Sequence, residues 1–121
     1  MHAENPNPEF IYKVAPRPLW AAAEVARRFA GAPVDLADGF IHFSTAGQLA
    51  ETLSRHFAGQ DDLVLAAVRT KDLGPALKWD VSRGGALFPH LYRPLDMRAV
   101  DWTAPLSVAE DGSCSLPEAV R

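Results

Sequence analysis

The chain has 121 residues, the length of one domain. Its 48% hydrophobic and 22% charged content is that of an ordinary globular protein able to bury a core without staples. A net charge of -3 argues against broad adhesion to nucleic acid or to a membrane surface, and a single cysteine, Cys114, excludes an intrachain disulfide. No signal peptide or long apolar run stands near the N-terminus, so a cytoplasmic location is the expectation.

Residues 1–9 are polar, carry two prolines and read as a flexible arm. Phe10 to Val14 reads as a first strand, with Lys13 on the same face as Ile11; a lysine there either snorkels to solvent or enters a cleft. Pro18 suits a first helical turn and Gly31 a C-terminal cap, which predicts a helix over 18–30 with Leu19, Ala22, Ala23, Ala26 and Phe29 at helical spacing. Residues 32–38 read as a loop. Gly39-Phe40-Ile41-His42-Phe43-Ser44-Thr45 then reads as a short strand running straight into a second helix, with Phe40, His42 and Ser44 on one face. Thr45 and Gln48 fit a capping box, and Leu49, Leu53 and Phe57 form the apolar stripe of that helix.

Leu63 to Val68 is a continuous apolar run, the pattern of a strand buried on both faces. Leu77 to Val81 predicts another strand, and Ser82-Arg83-Gly84-Gly85 a loop. Phe88-Pro89-His90-Leu91-Tyr92 repeats the grammar of the Phe40 segment, with Phe88, His90 and Tyr92 on one face. A last strand is expected over Met97 to Trp102, and a weakly ordered tail over 108–121. Residues 10–107 thus form a single globular domain. Strands before and after two main helices, without regular alternation, predict an α+β fold.

His42 sits at a helix mouth, where free N–H groups favour anions. An unperturbed imidazole titrates near pH ~6.5 and can donate or accept. The same residue fits a structural histidine satisfied by a backbone carbonyl. Ser44 and Thr45 suit helix caps as well as ligand contacts, and no Gly-x-Ser-x-Gly elbow marks a nucleophile. His90 and Tyr92 form the second constellation. Arg93 after them is a natural clamp for phosphate or carboxylate. Asp80 is the best-placed acid, although it also suits a pair with Arg83 or Lys78. The spacing of His2, His42, His56 and His90 matches no metal motif, so no metal is expected. Nothing marks Cys114 as reactive. Arg69, Lys71, Lys78, Arg83, Arg93 and Arg98 stand against Asp72, Asp80 and Asp96, which gives either a positive surface for a phosphate-bearing ligand or a solvated face of mixed charge.

Taken together, Ile11-Tyr12-Lys13, Asp38 through Ala46 with Gln48, the Leu63 strand, Lys78-Trp79-Asp80 and Phe88 through Leu95 resemble the domain of unknown function 952 family, from about Phe10 to Val100. The strand and Gly-Phe-Ile-His-Phe-Ser-Thr entering a helix are, more distantly, similar to the ADP-ribosyltransferase superfamily. That resemblance implies a small mixed or antiparallel split β-sheet cradling NAD as a substrate, with no resident cofactor. Lys13 would line the cleft and His42 would contact ribose or nicotinamide. Ser44 and Thr45 would support the strand, His90 and Tyr92 would close the other side, and Arg93 would meet phosphate. Attack on the anomeric carbon passes through an oxocarbenium-like state that needs nearby negative charge. Many transferases of that fold place a glutamate on a late strand; this chain offers Asp80 or Asp96. The expectation is therefore a domain that binds NAD or an ADP-ribose-like nucleotide and transfers ADP-ribose, with His42, His90 and Asp80 in the chemistry. The alternatives are a non-catalytic small-molecule or protein-binding module with structural histidines, and a hydrolase with a histidine base. A membrane or nucleic-acid partner is not expected, and the oligomeric state is open.

Overall fold

A computed structural model describes residues 8–121, without the side chain of Arg83; most of the arm expected over 1–9 lies outside the described residues. The elements in chain order are β1 (Phe10–Pro16), α1 (Arg17–Ala26), β2 (Arg28–Phe29), α2 (Pro33–Asp38), β3 (Ile41–His42), α3 (Ala46–His56), β4 (Leu63–Arg69), β5 (Leu77–Val81), β6 (Leu87–Leu91), β7 (Leu95–Asp96) and β8 (Val100–Leu106). The result is a small α+β domain of antiparallel sheets with three helices.

The apolar run of β4 is explained by its place. It lies between β1 and β8, paired antiparallel with both, and Leu63 through Val68 are all buried. Side-chain alternation divides the strand between two cores. Val64, Ala66 and Val68 face one side with Ile11, Trp20, Phe29, Phe43 and Leu91. Leu63, Leu65 and Ala67 face the other with Phe10, Tyr12, Val14, Leu49, Leu53 and Leu106. A second three-stranded sheet has the order β3-β6-β5. The two sheets meet where the chain leaves β3: Tyr12 and Ser44 exchange backbone hydrogen bonds of 2.8 and 2.9 Å, and Phe43 N–H donates to the Pro89 carbonyl at 3.0 Å.

Three expectations are revised. The first helix stops at Ala26, because Arg27 takes the left-handed conformation (φ 67°) and its N–H closes onto the carbonyls of Ala23 and Glu24. Phe29, expected on the helix stripe, is a core residue of β2, which pairs with β7. Residues 32–38 are not a loop: Pro33 opens a six-residue helix, too short to display a periodicity, and the Asp35 carboxylate accepts the Ala32 N–H at 2.8 Å. Residues 108–121 pack back onto the second core. Val108 is buried and donates to the Gln60 carbonyl at 2.8 Å, and Leu116 and Val120 lie against the cluster around Leu49 and Leu53. The Tyr12 hydroxyl donates to the Arg121 carbonyl at 3.1 Å and accepts from the Arg121 N–H at 2.9 Å.

Deleting residues 116–121 exposes part of that core and strips Tyr12 of its partner. The expected loss is about 1–3 kcal/mol, from apolar burial and one buried hydroxyl, measured by urea unfolding. An unchanged midpoint refutes the packing role.

Candidate functional site

The site is built on Asp35, a residue that sequence reasoning missed. Its carboxylate is buried with 1% side-chain exposure and is bonded from three directions. Lys13 Nζ of β1 stands 2.9 Å from Oδ2 and 3.1 Å from Oδ1. The Ala32 N–H reaches Oδ2 at 2.8 Å. His42 of β3 donates its backbone N–H to Oδ1 at 3.1 Å and places Nδ1 at 2.7 Å from the same atom. Gly31, expected as a helix cap, instead gives Asp35 room. Its φ is 127°, and a Cβ there would stand 2.9 Å from that of Asp35.

Burial alone would raise the Asp35 pKa. The hydrogen bond from His42 and the charge and hydrogen bond of Lys13 overcome it and hold the group at about 2. Burial pulls the Lys13 ammonium below its ordinary value, against the opposing pull of Asp35. Lys13 also donates to the His42 carbonyl at 3.0 Å. It is therefore neither snorkelling nor lining an open cleft; it fixes the histidine strand through Asp35. The exposed edge of the His42 ring, Nε2, stands 2.9 Å from Oδ2 of Asp38 at the end of α2.

The second half forms on β5 and β6. His42 and His90 are direct cross-strand partners, and Lys78 is the partner of His90 on its other side. One pleat along, Asp80 takes both His90 Nδ1 at 2.8 Å and the Tyr92 hydroxyl at 2.7 Å on its Oδ2 atom. Those two bonds, Tyr92 first, hold the Asp80 carboxyl below its ordinary range, and the same contact raises the Tyr92 phenol. The Phe40 ring stacks on His90 at 4.2 Å between centroids and tilts toward His42 at 4.7 Å and Tyr92 at 5.1 Å. The two imidazoles are 5.2 Å apart, edge to face.

His42, His90, Asp80 and Tyr92 thus share one face, with Lys13 behind it. The other expected residues do not join them. Ser44 is buried and its Oγ pairs with Thr52 Oγ1 at 2.9 Å. Thr45 caps α3 in the expected box, giving and taking bonds with Gln48 at 3.1 and 3.2 Å. Arg93 is exposed and reaches back to the Asp72 carbonyl at 3.4 Å. Nor does the basic stretch build a single positive surface. Arg69 binds Asp72 and Asp101 at 2.7 and 2.9 Å, and Arg98 binds Asp96 at 2.8 Å. That pairing ties up Asp96, the other acid offered. Two cavities of about 470 and 670 Å³ lie elsewhere, the first beside Trp20 and Met97, the second beside Arg69 and Trp79. Among the described residues no group of three or more His, Cys, Asp or Glu is arranged to hold a metal ion, and no helix is long and apolar enough to cross a membrane.

Asp35→Asn leaves Lys13 buried against a neutral amide, and the expected loss is about 3–5 kcal/mol at pH 7 by urea unfolding. The folded pKa of Asp35 lies below its ordinary 3.8, so its contribution is complete above about pH 4 and is lost as pH falls toward about 2. For a shift of this size the contribution is about 2 kcal/mol. The wild type should lose that much between pH 4 and 2, and the variant should show a flatter acid limb. Parallel acid limbs would refute the assignment.

A family profile described as "Protein of unknown function (DUF952)" matches residues 14–103. The X-ray structure of protein CC0527 from Caulobacter crescentus, a structural genomics target, is 51% identical in sequence, with 88% of this chain and 94% of that one covered and a TM-score of 0.84. The solution NMR structure of the same protein is 51% identical over 88% of this chain and 91% of that one, with a TM-score of 0.77. No curated protein matches. On the span of the profile and the identity to CC0527, the chain belongs to the DUF952 family of proteins of unknown function.

Proposed function

We propose that the face formed by Phe40, His42, His90 and Tyr92 binds an NAD-like or ADP-ribose-like nucleotide and serves transfer of its ADP-ribose. The observation that carries this reading is the pair of imidazoles, each held at Nδ1 by an aspartate, on neighbouring strands under shared aromatic rings. Phe40 and Tyr92 suit a planar base or nicotinamide. Lys78, exposed and in register with His90, is the cation within reach of phosphate, in place of Arg93. Asp80 supplies the negative charge that an oxocarbenium-like state needs. Lys13, Ser44 and Thr45 serve this site as scaffold. NAD enters as substrate.

One observation favours the other reading, a non-catalytic module with structural histidines: His90 is only 5% exposed beneath Phe40. A thermal-shift series with NAD, ADP-ribose and a 2′-phosphorylated nucleotide separates the two. Ligand at about a hundred times its dissociation constant adds roughly 2.7 kcal/mol, or on the order of 3–6 °C for a domain of this size. His42→Gln and His90→Gln should abolish that response while leaving the melting point of the free protein within a few degrees. A lack of response to all three compounds at millimolar concentration rejects nucleotide binding. Early melting of both variants without ligand assigns the histidines to the scaffold.

A further inference from the structure

The two histidines differ in one respect that decides their chemistry. A carboxylate only accepts hydrogen bonds, so a ring nitrogen that bonds to one carries a proton. At His90, Nδ1 donates to Asp80 at 2.8 Å, which fixes the tautomer of the neutral ring and leaves the lone pair on Nε2. Among the described residues no carboxylate stands at that Nε2; the other groups facing His90 are Lys78 in register, Tyr92 and His42. At His42 both nitrogens face carboxylates, Nδ1 at 2.7 Å from Asp35 and Nε2 at 2.9 Å from Asp38. Only the doubly protonated ring satisfies both. Lys13 opposes this charge from β1, but its ammonium is itself held on Asp35, and His90 is the other titratable group at the ring.

We infer that His42 and His90 form one acid–base pair, His42 Nε2–H the proton donor and His90 Nε2 the proton acceptor, acting on a nucleotide phosphoester. The inference rests on the nucleotide reading of this face and adds a second activity to the ADP-ribose transfer proposed there. Nicotinamide leaves NAD as a neutral base and takes no proton, so in ADP-ribose transfer the two imidazoles bind and orient, and the His42 proton is available for a second reaction. An oxygen leaving phosphorus needs such a proton. The Asp38 carboxylate is half-exposed, and an incoming phosphoester displaces it from His42 Nε2.

For a 2′,3′-cyclic nucleotide the step balances as a hydrolysis. His90 Nε2 takes a proton from water as the water oxygen bonds to phosphorus. One of the two ribose P–O bonds breaks, its electron pair stays on the ribose oxygen, and that oxygen takes the proton from His42 Nε2. One water is consumed, and the pair returns to its starting state when His90 gives up its proton to solvent and His42 regains one.

Long-range ¹H–¹⁵N NMR of the ligand-free chain at pH 7 reads the assignment directly. His42 should show two protonated nitrogens, and His90 a protonated Nδ1 with a bare Nε2. Asp38→Ala, a change at an exposed position, should return His42 to one protonated nitrogen and leave His90 unaltered. A bare Nε2 on wild-type His42, or a doubly protonated His90, overturns the assignment. In parallel, 2′,3′-cyclic AMP followed by ³¹P NMR should open to a nucleoside monophosphate, with a loss of about 10²–10⁴-fold in His42→Gln or His90→Gln. Spectra of both variants check that they fold. 2′,3′-Cyclic AMP that shifts the melting point yet is not opened overturns the acid–base pair and leaves nucleotide binding standing. No shift with 2′,3′-cyclic AMP or with the nucleotides named above overturns both.

Discussion

The carboxylate of Asp35 ties three elements together, beside the single backbone bridge between Tyr12 and Ser44. Lys13 comes from β1, the Ala32 N–H from the entry to α2, and the His42 ring and backbone from β3. An isolated buried carboxylate is strongly unfavourable, so these donors have to arrive together. They meet next to the point where the chain crosses from one sheet to the other. Gly31 is part of the same constraint, because any side chain there would press on Asp35. The orientation of His42 is thus a property of the fold, settled behind the surface on which the ring is displayed.

The two three-stranded sheets have different tasks. The β1-β4-β8 sheet carries apolar residues on both faces and supplies both cores. The β3-β6-β5 sheet buries Ile41 and Leu91 on one side and presents histidines, an aspartate and aromatic rings on the other. Cross-strand neighbours on one pleat are close enough for direct contact, which is why His42 and His90 meet although 48 positions separate them in the sequence. The Asp80, His90 and Tyr92 chain rests on the same geometry across the β5–β6 pair.

Much of the fold was legible from local pattern. The apolar run of β4, the capping box at Thr45, the strand at Leu77–Val81 and the alternation around His42 and His90 all follow from periodicity and turn chemistry. Three features were hidden, each for a reason. The helix at 33–38 is too short to show a period. Phe29 satisfies a helical stripe and a strand equally well, and the left-handed Arg27 between them has no residue signature. The packed C-terminal segment forms neither helix nor strand, so it has no period to read; Leu116, Val120 and the pairing of Tyr12 with Arg121 hold it to the core.

By itself the sequence determined which side chains share a strand face and where the strands and the capped helix lie, because these depend on neighbours within a few residues. That was enough to single out His42 and His90 and to join Tyr92 to the second of them. Only the tertiary structure decided the partners. It turned Lys13 inward onto Asp35, paired Ser44 with Thr52, set Thr45 as the cap of α3 and Arg93 against the Asp72 carbonyl, and placed one carboxylate at His90 but two at His42. The physical reason is that the charge state and the exposed atom of a histidine depend on which acceptors reach its two nitrogens. Those acceptors come from other elements; Asp35 and Asp38 are only seven and four residues from His42, but they reach its ring because α2 folds back against β3, which spacing alone does not fix.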